Sequence, residues 1–117
     1  MRFMMLLKAD PGKNPQGPSE ELMEEMGKLI DEMTRAGVLL DTGGLRPLDE
    51  GSRITIAGGR QTVLDGPFTE AKEVIGGYAL IQAKSKEEAV EWCSRFMAIH
   101  GDEWELEAEI RQVEEAG

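Results

Sequence analysis

Residues 63–81 read VLDGPFTEAKEVIGGYALI. The pattern predicts that a strand ends near Asp65, that a stiff turn and one helical turn follow, and that a buried strand begins at Ile75. Pro67 fixes its own φ angle and restricts Gly66, which in turn tolerates backbone angles that other residues avoid. Asp65 belongs to a residue type that caps a following turn by accepting a backbone N–H.

The turn has two interpretations. It is either a structural corner, which is the commoner use of these residue types, or a rigid platform that presents side chains to a ligand. The platform hypothesis predicts a small-molecule pocket beside the turn, with substrate-binding residues Asp65, Phe68, Thr69, Glu70 and Tyr78. Tyr78 has an apolar ring and a hydroxyl that needs a partner when buried, so it fits either a core position or a pocket wall.

The motif that runs from Asp65 to Glu70, continues at Lys72-Glu73 and ends at Gly76-Gly77-Tyr78 resembles the DGPF branch of the YCII-related proteins. The likeness extends from the strand at Arg2–Ala9 to the one near Ile110. It implies a ferredoxin-like α+β fold, βαββαβ with an inserted β-hairpin, that pairs as a dimeric α/β barrel. The biochemical role of such proteins is mostly unassigned, and some lie near genes for alternative sigma factors.

One feature of the wider family is missing here. Proteins similar to this one carry a histidine on the first helix, proposed to pair with an aspartate as an acid–base dyad. Met26 occupies about that place in this chain, and its first helix contains no histidine. The resemblance therefore carries over the fold and the dimer without the dyad.

Length and charge limit the function. A chain of 117 residues is predicted to form one domain, residues 1–117. Its formal net charge of -10 argues against direct binding to nucleic acid or to anionic membranes. The apolar patch Phe3–Leu7 is too short for a membrane span or a signal-peptide core. The single Cys93 cannot form an internal disulfide, so we expect a cytoplasmic protein.

Two strands, Arg2–Ala9 and Ile75–Ala83, are predicted to be central because both of their faces are apolar. Phe3, Met5 and Leu7 share one face of the first strand, and we expect Ile75, Ala79, Ile81 and Ala83 to share one face of the other. One layer of helices covers only one face of a sheet. The sequence therefore predicts a homodimer in which a second copy covers the opposite face.

The remaining elements follow from caps and turns. Ser19 is predicted to cap a helix that ends at Gly37, and Ser85 opens a second helix through a capping box with Glu88. Gly58-Gly59 predicts a hairpin that places Ile54 opposite Val63 and Thr55 opposite Thr62. Residues 104–111 alternate as a strand, although their apolar positions also fit a helix.

Catalysis is the least determined property. The chain has neither a nucleotide-binding glycine motif nor a serine nucleophile elbow. Cys93 lies on the apolar face of the second helix, which favours a core thiol. The candidates for acid–base chemistry are His100, Asp65, Glu70 and Asp41, and the catalytic residues are not assigned.

Three hypotheses remain at this point. The first is a dimer that binds, and weakly transforms, a small molecule beside the Asp-Gly-Pro-Phe turn. The second is a non-enzymatic accessory or regulatory dimer that binds another protein, for example in a sigma-factor-linked system. The third is a metal-dependent enzyme that uses Asp10, Asp49, Glu50 and His100, but their spacing matches no familiar ligand set. We predict neither a metal nor another cofactor.

Overall fold

The computed structural model describes residues 1–10, 18–68, 74–101 and 104–115. The elements in these ranges follow the predicted order. They are β1 (Arg2–Ala9), α1 (Glu20–Arg35), β2 (Leu39–Gly44), a short 3-10 turn (Leu48–Glu50), β3 (Ser52–Ala57), β4 (Arg60–Asp65), β5 (Val74–Gln82), α2 (Lys86–His100) and β6 (Glu107–Gln112). The last segment is therefore a strand, and it begins three residues after Trp104.

Four strands form one antiparallel sheet in the order β2-β5-β1-β6. β1 and β5 are the central strands, as their two apolar faces predicted. The two helical crossovers and this strand order make the fold ferredoxin-like, with β3 and β4 as the inserted hairpin. The predicted α+β fold is confirmed.

The core lies between one face of the sheet and both helices. Phe3 and Met5 of β1 pack with Ala79 and Ile81 of β5 beneath apolar residues of the helices, among them Leu29, Met33, Ala89 and Cys93. Ile75 was predicted to share this face, but 41% of its surface is exposed. It lies beyond the shift in register between Leu7 and Lys8, near the start of β5, so the prediction for that residue is wrong.

Both helices begin at the predicted caps. The hydroxyl oxygen of Ser19 accepts a hydrogen bond from the N–H of Leu22, and that of Ser85 accepts one from Glu88, each at 3.1 Å. The Glu88 carboxylate accepts from the N–H of Lys84 and not of Ser85, so only half of the capping box forms. Within the described ranges, no helix is long and apolar enough to cross a membrane.

The opposite face of the sheet is apolar at its centre. Leu6 and Tyr78 are paired across β1 and β5, as are Met4 and Leu80, and all four are half-buried. Core residues of both helices pack on the other side of the sheet, so no described helix covers this surface. We call the surface formed by Met4, Leu6, Tyr78 and Leu80 the open face.

The hairpin β3–β4 projects from the domain. Its register is the predicted one, with Ile54 opposite Val63 and Thr55 opposite Thr62. Gly58 and Gly59 adopt φ angles of 57° and 77°, which the tight turn requires and which favour glycine. Every hairpin residue from Ser52 to Ala57 and from Arg60 to Asp65 is exposed, and neither strand makes an extensive contact with another described helix or strand.

Candidate functional site

A cavity of about 520 Å³ lies between the sheet and the two helices. Its walls are almost wholly apolar. They include Leu22, Met26 and Ile30 of α1, Trp92 and Phe96 of α2, and Trp104 and Leu106 ahead of β6. None of the described residues that line it is Asp, Glu, Lys or Arg. Its volume falls in the range of about 300–1,000 Å³ that is typical of small-molecule pockets.

Two glycines on the sheet side of this cavity place no side chain in it. Gly44 of β2 and Gly77 of β5 face each other across the ladder, and Gly77 lies on the same face as the buried Ala79. A helix-facing side chain at either position would stand where the cavity is. The glycine pair of the motif, Gly76-Gly77, therefore helps to create the space.

The polar side chains that line the cavity are few. Thr42 donates its hydroxyl to the carbonyl oxygen of Tyr78 at 2.9 Å, so that hydroxyl is engaged. Cys93 is buried, as predicted for a core thiol, and desolvation raises its pKa to about 11. His100 is only 7% exposed, and its Nδ1 lies 3.0 Å from the carbonyl oxygen of Phe96.

Asp65 lies at the base of the hairpin, away from this cavity. Its Oδ1 accepts a hydrogen bond of 2.5 Å from the hydroxyl of Ser52, across the first pair of the β3–β4 ladder. The next residue, Gly66, donates its N–H to the carbonyl oxygen of Gly51 at 2.9 Å. These two bonds close the base of the hairpin.

Gly66 also touches the turn before the hairpin. A Cβ atom at this position would lie 2.7 Å from the carbonyl oxygen of Asp49 and 2.9 Å from its Cα. Only glycine fits without a backbone shift. The peptide bond from Gly66 to Pro67 is cis.

Phe68 is buried, and the guanidinium carbon of Arg53 stands 4.0 Å from the centroid of its ring. It borders a second, more polar cavity of about 420 Å³ with Arg46, Leu48 and Pro67. Ala9, Gly76 and Trp104 line both cavities, so the two adjoin. Thr69 and Glu70, the next two predicted binding residues, lie outside the described residues.

The ring of Tyr78 stands on the open face and not in the cavity. It lies against Gly43, where an added Cβ would meet the ring at 3.0–3.2 Å, and its hydroxyl donates to Asp41 Oδ2 at 3.4 Å. Asp65, Phe68 and Tyr78 thus have separate surroundings, and the structure does not bring their side chains into one site. Position 78 still borders the main cavity through β5.

The acidic residues considered for a metal site are dispersed. Among the described residues, no group of three or more His, Cys, Asp and Glu side chains could hold a metal ion. Glu50 instead pairs with Arg46 at 3.1 Å.

Sequence reasoning did not identify the cavity lining. No sequence pattern marks Trp92 or Trp104 as part of a site, and His100 stands out in the sequence only as a candidate for acid–base chemistry. The pairs Gly43-Gly44 and Gly76-Gly77 were a usable signal, because two glycine pairs in strands that become neighbours leave a gap beneath the helices.

Two comparisons with known proteins bear on this arrangement. The family description that matches the chain is the YCII-related domain, over residues 1–106. A relative, an uncharacterized protein of Rhizobium meliloti (strain 1021), is 30% identical over 73 residues. The matched stretch spans 62% of this chain and 59% of the relative.

Proposed function

This chain belongs to the YCII-related domain family, and from that premise we propose that it binds a small, largely apolar molecule in the cavity between its helices and its sheet, as one half of a homodimer. The observation that carries the proposal is the cavity itself. Well-packed cores contain few voids larger than a water molecule. An apolar cavity of about 520 Å³ is far larger than such a void and is suited to an organic guest.

The Asp-Gly-Pro-Phe turn lies at the edge of the proposed binding site and does not form its centre. The cavity adjoins the smaller one at Pro67 and Phe68 through Ala9, Gly76 and Trp104. We propose that the turn holds the rim of the site, with Phe68 at its entrance, and that Asp65 fastens the hairpin. Thr69 and Glu70 stay predicted binding residues. Tyr78 contributes its backbone to the wall.

Binding can be read from intrinsic fluorescence, because both tryptophans of the chain line the cavity. Titration with toluene should give a saturable change in the emission of Trp92 and Trp104. The variant Gly44→Leu should bind toluene at least tenfold more weakly, because the new side chain occupies part of the cavity. The substitution itself should be tolerated, since a Cβ at position 44 lies 4.0 Å from the nearest atom, the carbonyl oxygen of Gly76.

The matched control is Gly27→Leu. It introduces the same side chain on the exposed side of α1, at a residue that lines neither cavity and where a Cβ meets nothing within 4 Å. It should bind toluene as the native protein does. A native protein that shows no saturable change, or a Gly44→Leu variant that binds normally, would contradict the proposal.

The dimer is supported by the open face. Leu6 and Leu80 lie at the centre of a sheet surface that no described helix covers, and a second copy related by a two-fold axis would bury them. Sedimentation at micromolar concentration should give about twice the chain mass of 12.9 kDa. Leu80→Glu should weaken the dimer by a factor of roughly 100 or more, because it buries an unpaired charge.

The control for the dimer is Ile54→Lys in the hairpin, which should leave the mass unchanged because neither hairpin strand makes an extensive contact with the strands that form the open face. A native protein that sediments only as a monomer would contradict the dimer, and an unchanged Leu80→Glu dimer would place the interface elsewhere.

A second candidate function, an accessory or regulatory dimer that binds another protein, is favoured by the hairpin. Ile54, Ile56 and Val63 are 63–69% exposed, and a two-stranded hairpin is only marginally stable by itself. Such a surface suits a protein contact. The variant Ile54→Lys distinguishes the two functions. It should bind toluene as the native protein does, but it should lose any partner protein that co-purifies with the native dimer.

A further inference from the structure

His100 is the polar group at the cavity whose orientation the structure fixes most closely. It is the last residue of α2 and is only 7% exposed. Its ring meets the ring of Phe96 edge-on, with centroids 4.9 Å apart and planes inclined at 62°. Its Nδ1 lies 3.0 Å from the carbonyl oxygen of Phe96. A carbonyl oxygen only accepts hydrogen bonds, so Nδ1 carries the proton.

The other ring nitrogen, Nε2, is left for a guest. Among the described residues no group hydrogen bonds to it, and no side-chain N or O atom that is fully buried lacks a partner. Nε2 therefore retains accessible surface, and His100 lines the cavity. In the neutral ring with a proton on Nδ1, Nε2 presents a lone pair that accepts a hydrogen bond.

The rest of the lining determines the charge of the guest. The described walls contain no Lys or Arg to pair with an anion and no Asp or Glu to pair with a cation. Transfer of an unpaired ion into such surroundings is strongly unfavourable. The described walls therefore favour a neutral guest.

Three aromatic side chains, Trp92, Phe96 and Trp104, also face the cavity. Aromatic rings pack well against other rings, edge-on or offset. Building on the proposed function, we propose that the ligand is a neutral aromatic molecule with one O–H or N–H group that donates a hydrogen bond to Nε2 of His100. Phenols and indoles have this chemistry.

The test compares toluene, p-cresol and 4-methylbenzoate, which share a ring and differ in one group. Dissociation constants come from the tryptophan fluorescence titration. One neutral hydrogen bond contributes roughly a factor of three to ten in affinity. The native protein should therefore bind p-cresol more tightly than toluene by about that factor. The variant His100→Phe removes the acceptor but keeps a ring against Phe96, so the ratio of the toluene to the p-cresol dissociation constant should fall by the same factor. The anionic 4-methylbenzoate should bind the native protein more weakly than p-cresol.

Ser94→Ala, on the exposed side of α2, is the matched control and should leave the ratio unchanged. His100 is the only histidine of the chain, so a protein labelled with ¹⁵N-histidine reports on it directly and without any substitution. We expect p-cresol to shift the Nε2 resonance and toluene to shift it much less. This measurement decides the matter even if His100→Phe does not fold.

The outcomes separate the two proposals. If toluene and p-cresol both bind but neither the ratio nor the Nε2 resonance changes, the role of His100 is wrong and the cavity remains a binding site. Tighter binding of 4-methylbenzoate than of p-cresol would overturn the neutral ligand class. If no probe binds, the proposed function fails and this inference fails with it.

Discussion

Replacing Phe3 by alanine should lower the free energy of unfolding by about 3–5 kcal/mol. Phe3 is 1% exposed and pairs with Ile81, which is equally buried, between the two central strands. These two are the largest fully buried side chains in the described residues. Phe3 does not line the cavity and is enclosed by core residues of the sheet and the helices, so its truncation loses the burial of the ring and adds the cost of a new void. Denaturation in urea, at one fixed protein concentration because a dimer is expected, measures the change.

The control for Phe3→Ala is Ile54→Ala. Ile54 also lies in a strand, but it is 69% exposed. Its truncation should change the free energy of unfolding by no more than about 0.5 kcal/mol. An equally large loss for Ile54→Ala would show that the hairpin is packed in solution. A loss of only about 0.5 kcal/mol for Phe3→Ala would contradict a core between the sheet and the helices.

Replacing Gly66 by alanine should lower the free energy of unfolding by about 1–3 kcal/mol, the usual cost of overpacking. The added methyl group would stand 2.7 Å from the carbonyl oxygen of Asp49. Since the obstacle is backbone, neither group can turn aside, and the loop between β2 and the hairpin must move. Urea denaturation again gives the value.

Gly27→Ala is the matched control for Gly66→Ala. Gly27 lies within α1, a Cβ there meets nothing within 4 Å, and alanine forms helix more readily than glycine by about 1 kcal/mol. The same chemical change should therefore stabilise the protein at position 27 and destabilise it at position 66. A Gly66→Ala variant as stable as the native protein would show that the Asp-Gly-Pro-Phe turn does not require its glycine for packing.

The order of elements could be predicted from the sequence because it depends on local patterns. Ser19 and Ser85 cap the two helices through their side chains. The two-residue turn at Gly58-Gly59 fixes the register of the hairpin. β1 and β5 are central because both faces of each strand are apolar and must be buried. Each of these signals lies within a few residues of the feature that it predicts.

The site depends on which strands become neighbours, and so it was harder to predict. Gly44 and Gly77 leave a gap only because β2 pairs with β5 in a register that places them opposite each other. The same register sends the ring of Tyr78 to the open face, over Gly43. The motif therefore divides its residues between two surfaces. Gly77 helps to form the cavity, and Tyr78 belongs to the face where we expect the second copy.

The most direct test of the cavity uses the methionine methyl groups. Met5, Met26 and Met33 line it, whereas Met4 lies on the open face and Met23 on the exposed side of α1. In protein labelled with ¹³C-methyl methionine, saturating toluene should shift the resonances of Met5, Met26 and Met33 and leave those of Met4 and Met23 in place. Shifts confined to Met4 or Met23, or no shifts at all, would contradict binding between the helices and the sheet.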